Sequence, residues 1–175
     1  MVHGGGVMAS RFGESMGIMP EMVDGRRITD KDTLDIVTMV YAGLINKTVV
    51  AKLQALKVNA LGLTGADGNL IRSTKRPVKG IDYGFVGDVQ EINTQLIHQL
   101  LQVGLLPVIN AITHDQKGQL LNTNADSIAS ALATGLALEH HVDLYFCFNK
   151  PGVLVDEKNE QSIIPLINED IYKEL

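Results

Sequence analysis

A run of three glycines near the start of the chain could bring backbone amides close to an anion. His3 is followed by Gly4, Gly5 and Gly6. Because these glycines have no side chains, their N–H groups can approach a phosphate or carboxylate that any Cβ would obstruct. A tight turn without a ligand is the alternative. The pattern therefore indicates an anion site, and it leaves the ligand open.

The same letters also fit a serine hydrolase. His-Gly-Gly-Gly forms the oxyanion hole of some lipases and esterases, and residues 13–17 read Gly-Glu-Ser-Met-Gly, which matches a nucleophile elbow. The elbow serine must stand where its own core strand turns into a helix. Residues 7–14 leave no room for a helix and a strand between the two motifs, so we expect Ser15 to be an ordinary residue at a helix end.

Two further segments carry side chains suited to an anionic substrate. Residues 24–30 read Asp-Gly-Arg-Arg-Ile-Thr-Asp, a predicted hairpin that turns on Asp24 and Gly25. The guanidinium of Arg27 suits a planar carboxylate, although an exposed hairpin arginine is the alternative. Residues 122–126 read Asn-Thr-Asn-Ala-Asp before a predicted helix, where Asn124 or Asp126 could simply cap the helix.

Alternating strands and helices must position these residues. Thr29 or Asp30 is the predicted cap of a helix whose apolar residues recur at helical spacing up to residues 46–47, and Asn93 is the predicted cap of another. The predicted strands are 58–63, 105–112 and 142–148, and the other predicted helices are 7–16, 49–56 and 127–138. This order predicts an α/β fold, with a mainly parallel sheet and helices on both faces.

Charge and composition exclude some classes of partner. The chain has 15 basic and 20 acidic residues, a net charge of -5, which argues against binding to nucleic acid. The apolar stretch 100–112 is much shorter than the roughly 20 residues of a membrane span, and Gly104 and Pro107 interrupt it. Cys147, the single cysteine, is expected to be a buried thiol, and a reducing cytoplasm fits this usage.

The order and spacing of several segments resemble the N-acetylglutamate kinases of the amino-acid kinase family. The resemblance runs through residues 3–6, 24–30, 42–47, 62–69, 84–89 and 122–126. It implies an amino-acid kinase-like three-layer sandwich and transfer of the γ-phosphate of ATP, with Mg²⁺, to the side-chain carboxylate of an N-acylglutamate. The segment Gly-Arg-Arg-Ile-Thr-Asp distinguishes this group from carbamate and uridylate kinases, whereas acetyl and succinyl acyl groups both remain open.

The resemblance also assigns roles to individual residues. Gly5 and Gly6 are the expected N–H donors, Arg27 and Asn122 the expected substrate-binding residues, and Asp126 the expected catalytic residue that orients lysines around the transferring phosphoryl group. A side-chain carboxylate with a pKa of about 4.3 is already ionised at neutral pH, so this chemistry needs no general base. Family members also pair as dimers, which implies a homodimer or higher oligomer.

The resemblance further predicts how the chain is organised. Residues 1–140 are expected to form an acyl-glutamate-binding lobe, and residues 141–175 the beginning of a nucleotide-binding lobe whose contacts remain unassigned. Only Met1 and Val2 precede His3 and the glycine loop. Members of the family use two lysines around the transferring phosphoryl group, and neither of them is present in this sequence. We therefore expect a chain incomplete at both ends that turns over ATP slowly. A non-catalytic acyl-glutamate-binding module and another member of the family remain the alternatives.

Overall fold

The computed structural model describes residues 1–19, 21–23, 26–156 and 158–174. Its strands are β1 (Val2–His3), β2 (Met22–Val23), β3 (Arg26–Arg27), β4 (Ala60–Leu63), β5 (Ile71–Lys75), β6 (Val86–Ile92), β7 (Leu106–Asn110), β8 (Ile112–His114) and β9 (Leu120–Thr123). Its α-helices are α1 (Gly6–Ser15), α2 (Lys31–Thr38), α3 (Asn46–Ala55), α4 (Thr94–Gln102), α5 (Ala125–Leu136) and α6 (Glu169–Glu174). Asp24 and Gly25, the predicted hairpin turn, lie outside the described residues, but β2 and β3 pair antiparallel on either side of them.

A parallel sheet with the strand order β1-β7-β4 lies at the centre of the fold. Val2 pairs with Ile109, and Gly62 pairs with Val108. The predicted α/β class, with a parallel sheet and helices, is confirmed. Although only two residues form β1, this pairing anchors the glycine loop to the sheet.

A second group of strands closes into a small barrel in the order β5-β6-β9-β8. Strand β5 pairs antiparallel with β6, and β8 pairs antiparallel with β9, while β6 and β9 run parallel. The sequence did not reveal this barrel. Because loops rather than crossover helices join β5 to β6 and β8 to β9, each pair can run antiparallel.

One long helical run lies between β3 and β4 in the chain. It extends over Lys31–Ala55 and consists of α2, a π-helical segment at Met39–Ile45, and α3. Asp30 is its cap and accepts a hydrogen bond from the Thr33 backbone N–H at 2.8 Å. By length and composition alone this run could cross a membrane, but Leu34 and Val37 are fully buried within the core.

The hydrophobic core lies within residues 1–132. Its largest fully buried apolar side chains are Leu34, Val37, Leu70, Ile71, Val108, Ile109, Ile112, Leu121 and Ile128. In α2, Leu34 and Val37 lie three residues apart, which is the helical spacing that the apolar pattern of the sequence indicates. The helix prediction is confirmed for α4, which Asn93 caps, and for α5.

The C-terminal end of the chain differs from the sequence-based expectation. The chain divides into two compact units, Met1–Leu144 and Tyr145–Leu175. The predicted strand at residues 142–148 is wrong, because these residues adopt no regular structure. An apolar run forms a strand only where another strand pairs with it, and none does so here among the described residues. Cys147 is exposed rather than buried.

Candidate functional site

A single cavity brings together all five residues that the sequence indicated. Its volume is about 260 Å³, and Gly5, Gly6, Arg27, Asn122 and Asp126 all line it. They come from four regions of the first unit: the glycine loop with the start of α1, strand β3, strand β9, and the first turn of α5. Distant segments of the chain therefore meet around one space.

The glycine loop lies between β1 and α1 and packs against the long helical run. A Cβ on Gly5 would collide with the side chain of Ile45 and with the ring of Tyr41, both in the π-helical segment. A side chain at this position would therefore force Ile45 and Tyr41 to shift. On the other side of the loop, a Cβ on Gly4 would reach within 3.6 Å of the Ala125 Cβ at the start of α5.

Two helix N-termini consequently face the same cavity. Helix α1 begins at Gly6, and α5 begins at Ala125, and both residues line the cavity. The unpaired N–H groups and the positive end of the helix dipole make a helix N-terminus favourable for an anion. A pair of such ends suits a ligand with several negative oxygens.

Asn124, and not Asp126, caps helix α5. Asn124 is the cap, since its Oδ1 accepts a hydrogen bond from the Ser127 backbone N–H at 2.8 Å. Asp126 instead lies exposed in the first turn and lines the cavity. Within the described part of the chain its carboxylate has no hydrogen bond or ion pair, so it is available to a cationic group.

Arg27 links β3 to the start of α1. Its Nη2 donates to the Gly6 carbonyl at 3.0 Å and to the Ser10 hydroxyl at 2.7 Å. Burial raises the pKa of Tyr41, and the nearby Arg27 opposes that rise. The guanidinium therefore braces the helix N-terminus that faces the cavity, in addition to lining it.

Asn122 is held by a buried threonine. Its Nδ2 donates to the Thr29 hydroxyl at 3.0 Å, and Thr29 is fully buried. The Thr29 carbonyl in turn accepts from the Phe85 backbone N–H at 2.6 Å, and the Asn122 backbone N–H donates to the Phe85 carbonyl at 2.9 Å. This network fixes the orientation of the Asn122 amide before any ligand arrives.

Sequence reasoning missed two cationic residues of the cavity. Arg26 and Arg76 both line it, although neither is among the site residues that the sequence indicated. The Nε of Arg76 donates to Asp88 at 3.1 Å, and its guanidinium carbon lies 5.5 Å from the centre of the Tyr83 ring. The sequence around residue 76 does not distinguish Arg76 from Lys75, because Asp88, which binds Arg76, lies on the next strand of the sheet.

The electrostatics of the cavity favour an anion. Three arginines and two helix N-termini line it, against the carboxylate of Asp126, and Arg76 alone among these arginines is paired with an acidic residue, Asp88, within the described part of the chain. Such an arrangement stabilises negative charge on a transferring group by position and charge, without a proton transfer. Among the residues that the structure describes, no group of three or more His, Cys, Asp or Glu side chains could hold a metal ion.

The rejected hydrolase pattern is excluded by geometry as well. Ser15 is the last residue of α1, and its hydroxyl donates to the Phe12 carbonyl at 2.7 Å. It does not stand on a turn from a core strand into a helix, which the nucleophile elbow requires.

Comparison with known proteins identifies relatives over nearly the whole chain. The amino acid kinase family matches residues 1–175. An acetylglutamate kinase of Parabacteroides distasonis is 56% identical over 173 residues, which are 99% of this chain and 68% of that protein. An acetylglutamate kinase of Cytophaga hutchinsonii is 54% identical, over 100% of this chain and 67% of that protein. The chain thus spans about two thirds of the length of these relatives.

Solved structures share the fold. The smu.665 protein of Streptococcus mutans UA159 aligns with a TM-score of 0.72 and 29% identity, over 78% of this chain and 55% of that one. An N-acetylglutamate synthase from Neisseria gonorrhoeae, complexed with coenzyme A and N-acetyl-glutamate, aligns with a TM-score of 0.63 and 22% identity, over 75% of this chain and 31% of that one. The second likeness concerns the fold alone.

Proposed function

This chain belongs to the amino acid kinase family, and from that premise we propose that it is an acetylglutamate kinase acting in arginine biosynthesis. The reaction is ATP-dependent phosphorylation of the side-chain carboxylate of N-acetylglutamate, which yields an acyl phosphate. Relatives of that name are more than 50% identical across almost the whole chain. The identity of the acceptor follows from these relatives.

One structural observation carries the proposal. The glycine loop, Arg27, Asn122 and Asp126 line a single cavity although they are up to 121 residues apart in the chain, from Gly5 to Asp126. A cavity with two helix N-termini and an excess of arginine suits a substrate that carries two carboxylates and receives a phosphoryl group. The substrate chemistry and the charge of the cavity agree.

The proposed roles of the residues follow from their positions. The N–H groups of Gly5 and Gly6 stabilise the oxygens of the transferring phosphoryl group, while Arg27 and Asn122 hold the part of the substrate away from the reacting carboxylate. Asp126 orients cationic side chains around the phosphoryl group. No residue has to act as a general base, because the acceptor carboxylate is already ionised at neutral pH.

Finer features of the function are part of the same proposal. Mg²⁺ would be held by the phosphates of ATP rather than by a carboxylate cluster of the described residues, and it would neutralise part of the phosphate charge. Residues 1–140 bind the acyl-glutamate, and residues 141–175 begin the nucleotide-binding lobe. The enzyme is cytoplasmic and forms a homodimer or a higher homo-oligomer.

A hydroxamate assay tests the activity. The purified chain is incubated with ATP, Mg²⁺, N-acetylglutamate and hydroxylamine, which traps an acyl phosphate, and ADP release is followed in parallel. We expect hydroxamate and ADP in equal amounts, and loss of both in Asp126→Asn. Asp32→Asn is the matched control, because Asp32 is exposed on α2, away from the cavity lining. Release of ADP without hydroxamate would contradict the proposed acceptor.

The alternative is an acyl-glutamate-binding module without catalysis. It is favoured by one observation, namely that the lysines which Asp126 would orient do not line the cavity within the described part of the chain. Calorimetric binding of N-acetylglutamate together with no ADP release would support this alternative.

A further inference from the structure

A buried amide lies between the sheet and the glycine loop. Asn46 is fully buried at the start of α3. Its Nδ2 donates to the Val108 carbonyl at 2.9 Å and lies 3.1 Å from Nε2 of His3. Its Oδ1 accepts from Nζ of Lys47 at 3.1 Å. Every polar atom of the amide therefore has a partner.

The strand beneath Asn46 leaves room for it. Gly62 pairs with Val108 in the parallel sheet, and a Cβ on Gly62 would collide with Oδ1 of Asn46 and would meet Nζ of Lys47 at 2.7 Å. The absence of a side chain at Gly62 lets the amide reach the middle of the sheet. Asn46 thus lies over β7, with β4 on one side and β1, which carries His3, on the other.

The partners of Asn46 fix the direction of its amide. A flipped amide would place Oδ1 against the Val108 carbonyl and the NH₂ group against the Lys47 ammonium, and both contacts are repulsive. Nδ2 is therefore the atom that faces His3, and it can only donate. Nε2 of His3 must accept this hydrogen bond, so it carries no hydrogen.

The second nitrogen of His3 then has a defined role. A neutral imidazole carries one hydrogen, and if Nε2 accepts, that hydrogen is on Nδ1. Nδ1 lies 2.8 Å from the Gly4 carbonyl oxygen, so it donates to that oxygen. In a planar trans peptide the N–H of the next residue points opposite to the carbonyl, so this bond directs the Gly5 N–H away from His3.

We propose that Asn46 and His3 are positioning residues for the glycine loop. Asn46 sets the tautomer of His3, and the Nδ1–H of His3 holds the Gly4–Gly5 peptide in the orientation that the loop needs at the cavity. This positioning role rests on the proposed function only for the identity of the anion that binds at the glycine loop. The hydrogen-bond chain itself runs from Val108 to Gly4 and can be tested separately.

The charges around His3 agree with a neutral ring. Burial, the largest effect, lowers the pKa of His3, whereas the hydrogen bond with Gly4 raises it. Lys47, which donates to Asn46, adds a positive charge next to this network. An imidazolium would also point an N–H at the donating NH₂ group of Asn46.

NMR spectroscopy of the ring nitrogens of His3 tests the first step without an activity measurement. In the full chain at pH 7.5 (a value chosen about one unit above an ordinary histidine pKa) we expect a hydrogen on Nδ1 and none on Nε2. In Asn46→Ala we expect a measurable fraction of the tautomer with a hydrogen on Nε2, because only the Gly4 carbonyl then favours a hydrogen on Nδ1. A hydrogen on Nε2 in the unsubstituted chain, or a doubly protonated ring, would overturn the proposal.

Two substitutions of His3 test the second step. In His3→Asn the amide nitrogen takes the place of Nδ1 and can still donate to Gly4, whereas in His3→Gln it takes the place of Nε2 and cannot. We expect His3→Gln to lower kcat on the order of 100-fold, with KM for N-acetylglutamate changed far less, and His3→Asn to recover most of kcat. Equal kcat in the two variants would overturn the positioning role.

The outcomes separate this inference from the proposed function. If the unsubstituted chain makes no acyl phosphate, the proposed function fails, and the tautomer of His3 alone decides the inference. If a His3 variant does not fold, as judged by thermal unfolding, the NMR measurement on the unsubstituted chain again decides it. His98→Gln is the control variant, because His98 is not in contact with this network and hydrogen-bonds to His140.

Discussion

At the scale of single residues, Arg27 has two roles in the site. It lines the cavity, and it also donates to Gly6 and Ser10 of α1. A guanidinium has five N–H donors in a planar fork, so it can brace the helix and still bind a carboxylate. This double use makes Arg27 harder to replace than a residue that binds substrate alone.

Replacing Arg27 is expected to weaken N-acetylglutamate binding most. Arg27→Ala loses a charge-assisted contact of about 1.5–3 kcal/mol, and ATP binding is expected to weaken less because only the bracing of α1 changes. Arg27→Lys restores little, since a point charge cannot copy the fork. Isothermal titration calorimetry with each ligand measures both effects. Arg11→Ala on the exposed side of α1 is the control, and equal weakening of both ligands would contradict the assignment.

A second residue-scale prediction concerns Gly5. Gly5→Ala is expected to lower the free energy of unfolding by about 1–3 kcal/mol, because the added Cβ overpacks Ile45 and Tyr41. Gly43→Ala in the same π-helical segment is the matched control. No atom lies within 4 Å of a Cβ there, so it should be neutral or stabilising by up to about 1 kcal/mol. Urea denaturation compares the two, and equal stabilities would show that the loop is not closely packed.

At the scale of elements, the long helical run serves the site through its irregular middle. The π-helical segment supplies Tyr41 and Ile45 to the glycine loop, and α3 begins at Asn46. A π-helical stretch changes the rotation of the side chains that follow it, and such stretches occur often at functional sites. The cap at Asp30 determines where the whole run begins.

Removing that cap is expected to destabilise the run. Asp30→Ala should cost about 1 kcal/mol of unfolding free energy, whereas Asp30→Asn keeps an accepting oxygen and should cost less. Hydrogen bonds from the side chain and the backbone of Thr33 lower the pKa of Asp30 below its ordinary 3.8. The carboxylate therefore stabilises the fold fully above pH 3.8, and this contribution disappears as the pH falls through the lower folded-state pKa.

The measurement is urea denaturation as a function of pH. The difference in stability between the unsubstituted chain and Asp30→Asn should shrink below pH 3.8. A difference that stayed constant down to acid pH would show that the charge of Asp30 does not contribute.

At the scale of the whole molecule, the long helical run offers an apolar surface for association. Met39 and Leu44 are 55% and 46% exposed, although the same segment packs against the loop. We expect a dimer in sedimentation velocity at micromolar concentration, and we expect the double substitution Met39→Glu and Leu44→Glu to yield monomers, because buried unpaired carboxylates are costly at an interface. Val103→Glu, at an even more exposed apolar position after α4 (69% exposed), is the control. A monomeric unsubstituted protein would contradict the prediction.

The sequence by itself determined the local elements and the chemistry of the site. Helical spacing identified the long run as two helices, the Asn93 cap identified α4, glycine composition identified the loop, and the types and order of Arg27, Asn122 and Asp126 indicated an anionic substrate. These features can be predicted because each depends on a few neighbouring residues. A helix cap depends on the first turn of its helix, the apolar periodicity depends on one face of that helix, and a tight turn depends on a single glycine. The roles of the site residues remain predictions.

Only the tertiary structure decided which distant residues meet. The apolar run at 142–148 reads as a strand, but no described strand pairs with it, and a strand exists only through such pairing. Arg76 reads as a solvated residue, but Asp88 on the neighbouring strand holds it at the cavity. Asn46 reads as a helix residue, but Gly62 and Val108 leave it the space and the acceptor that direct it toward His3. Each of these outcomes depends on a partner far away in the chain, and local sequence carries no record of that partner.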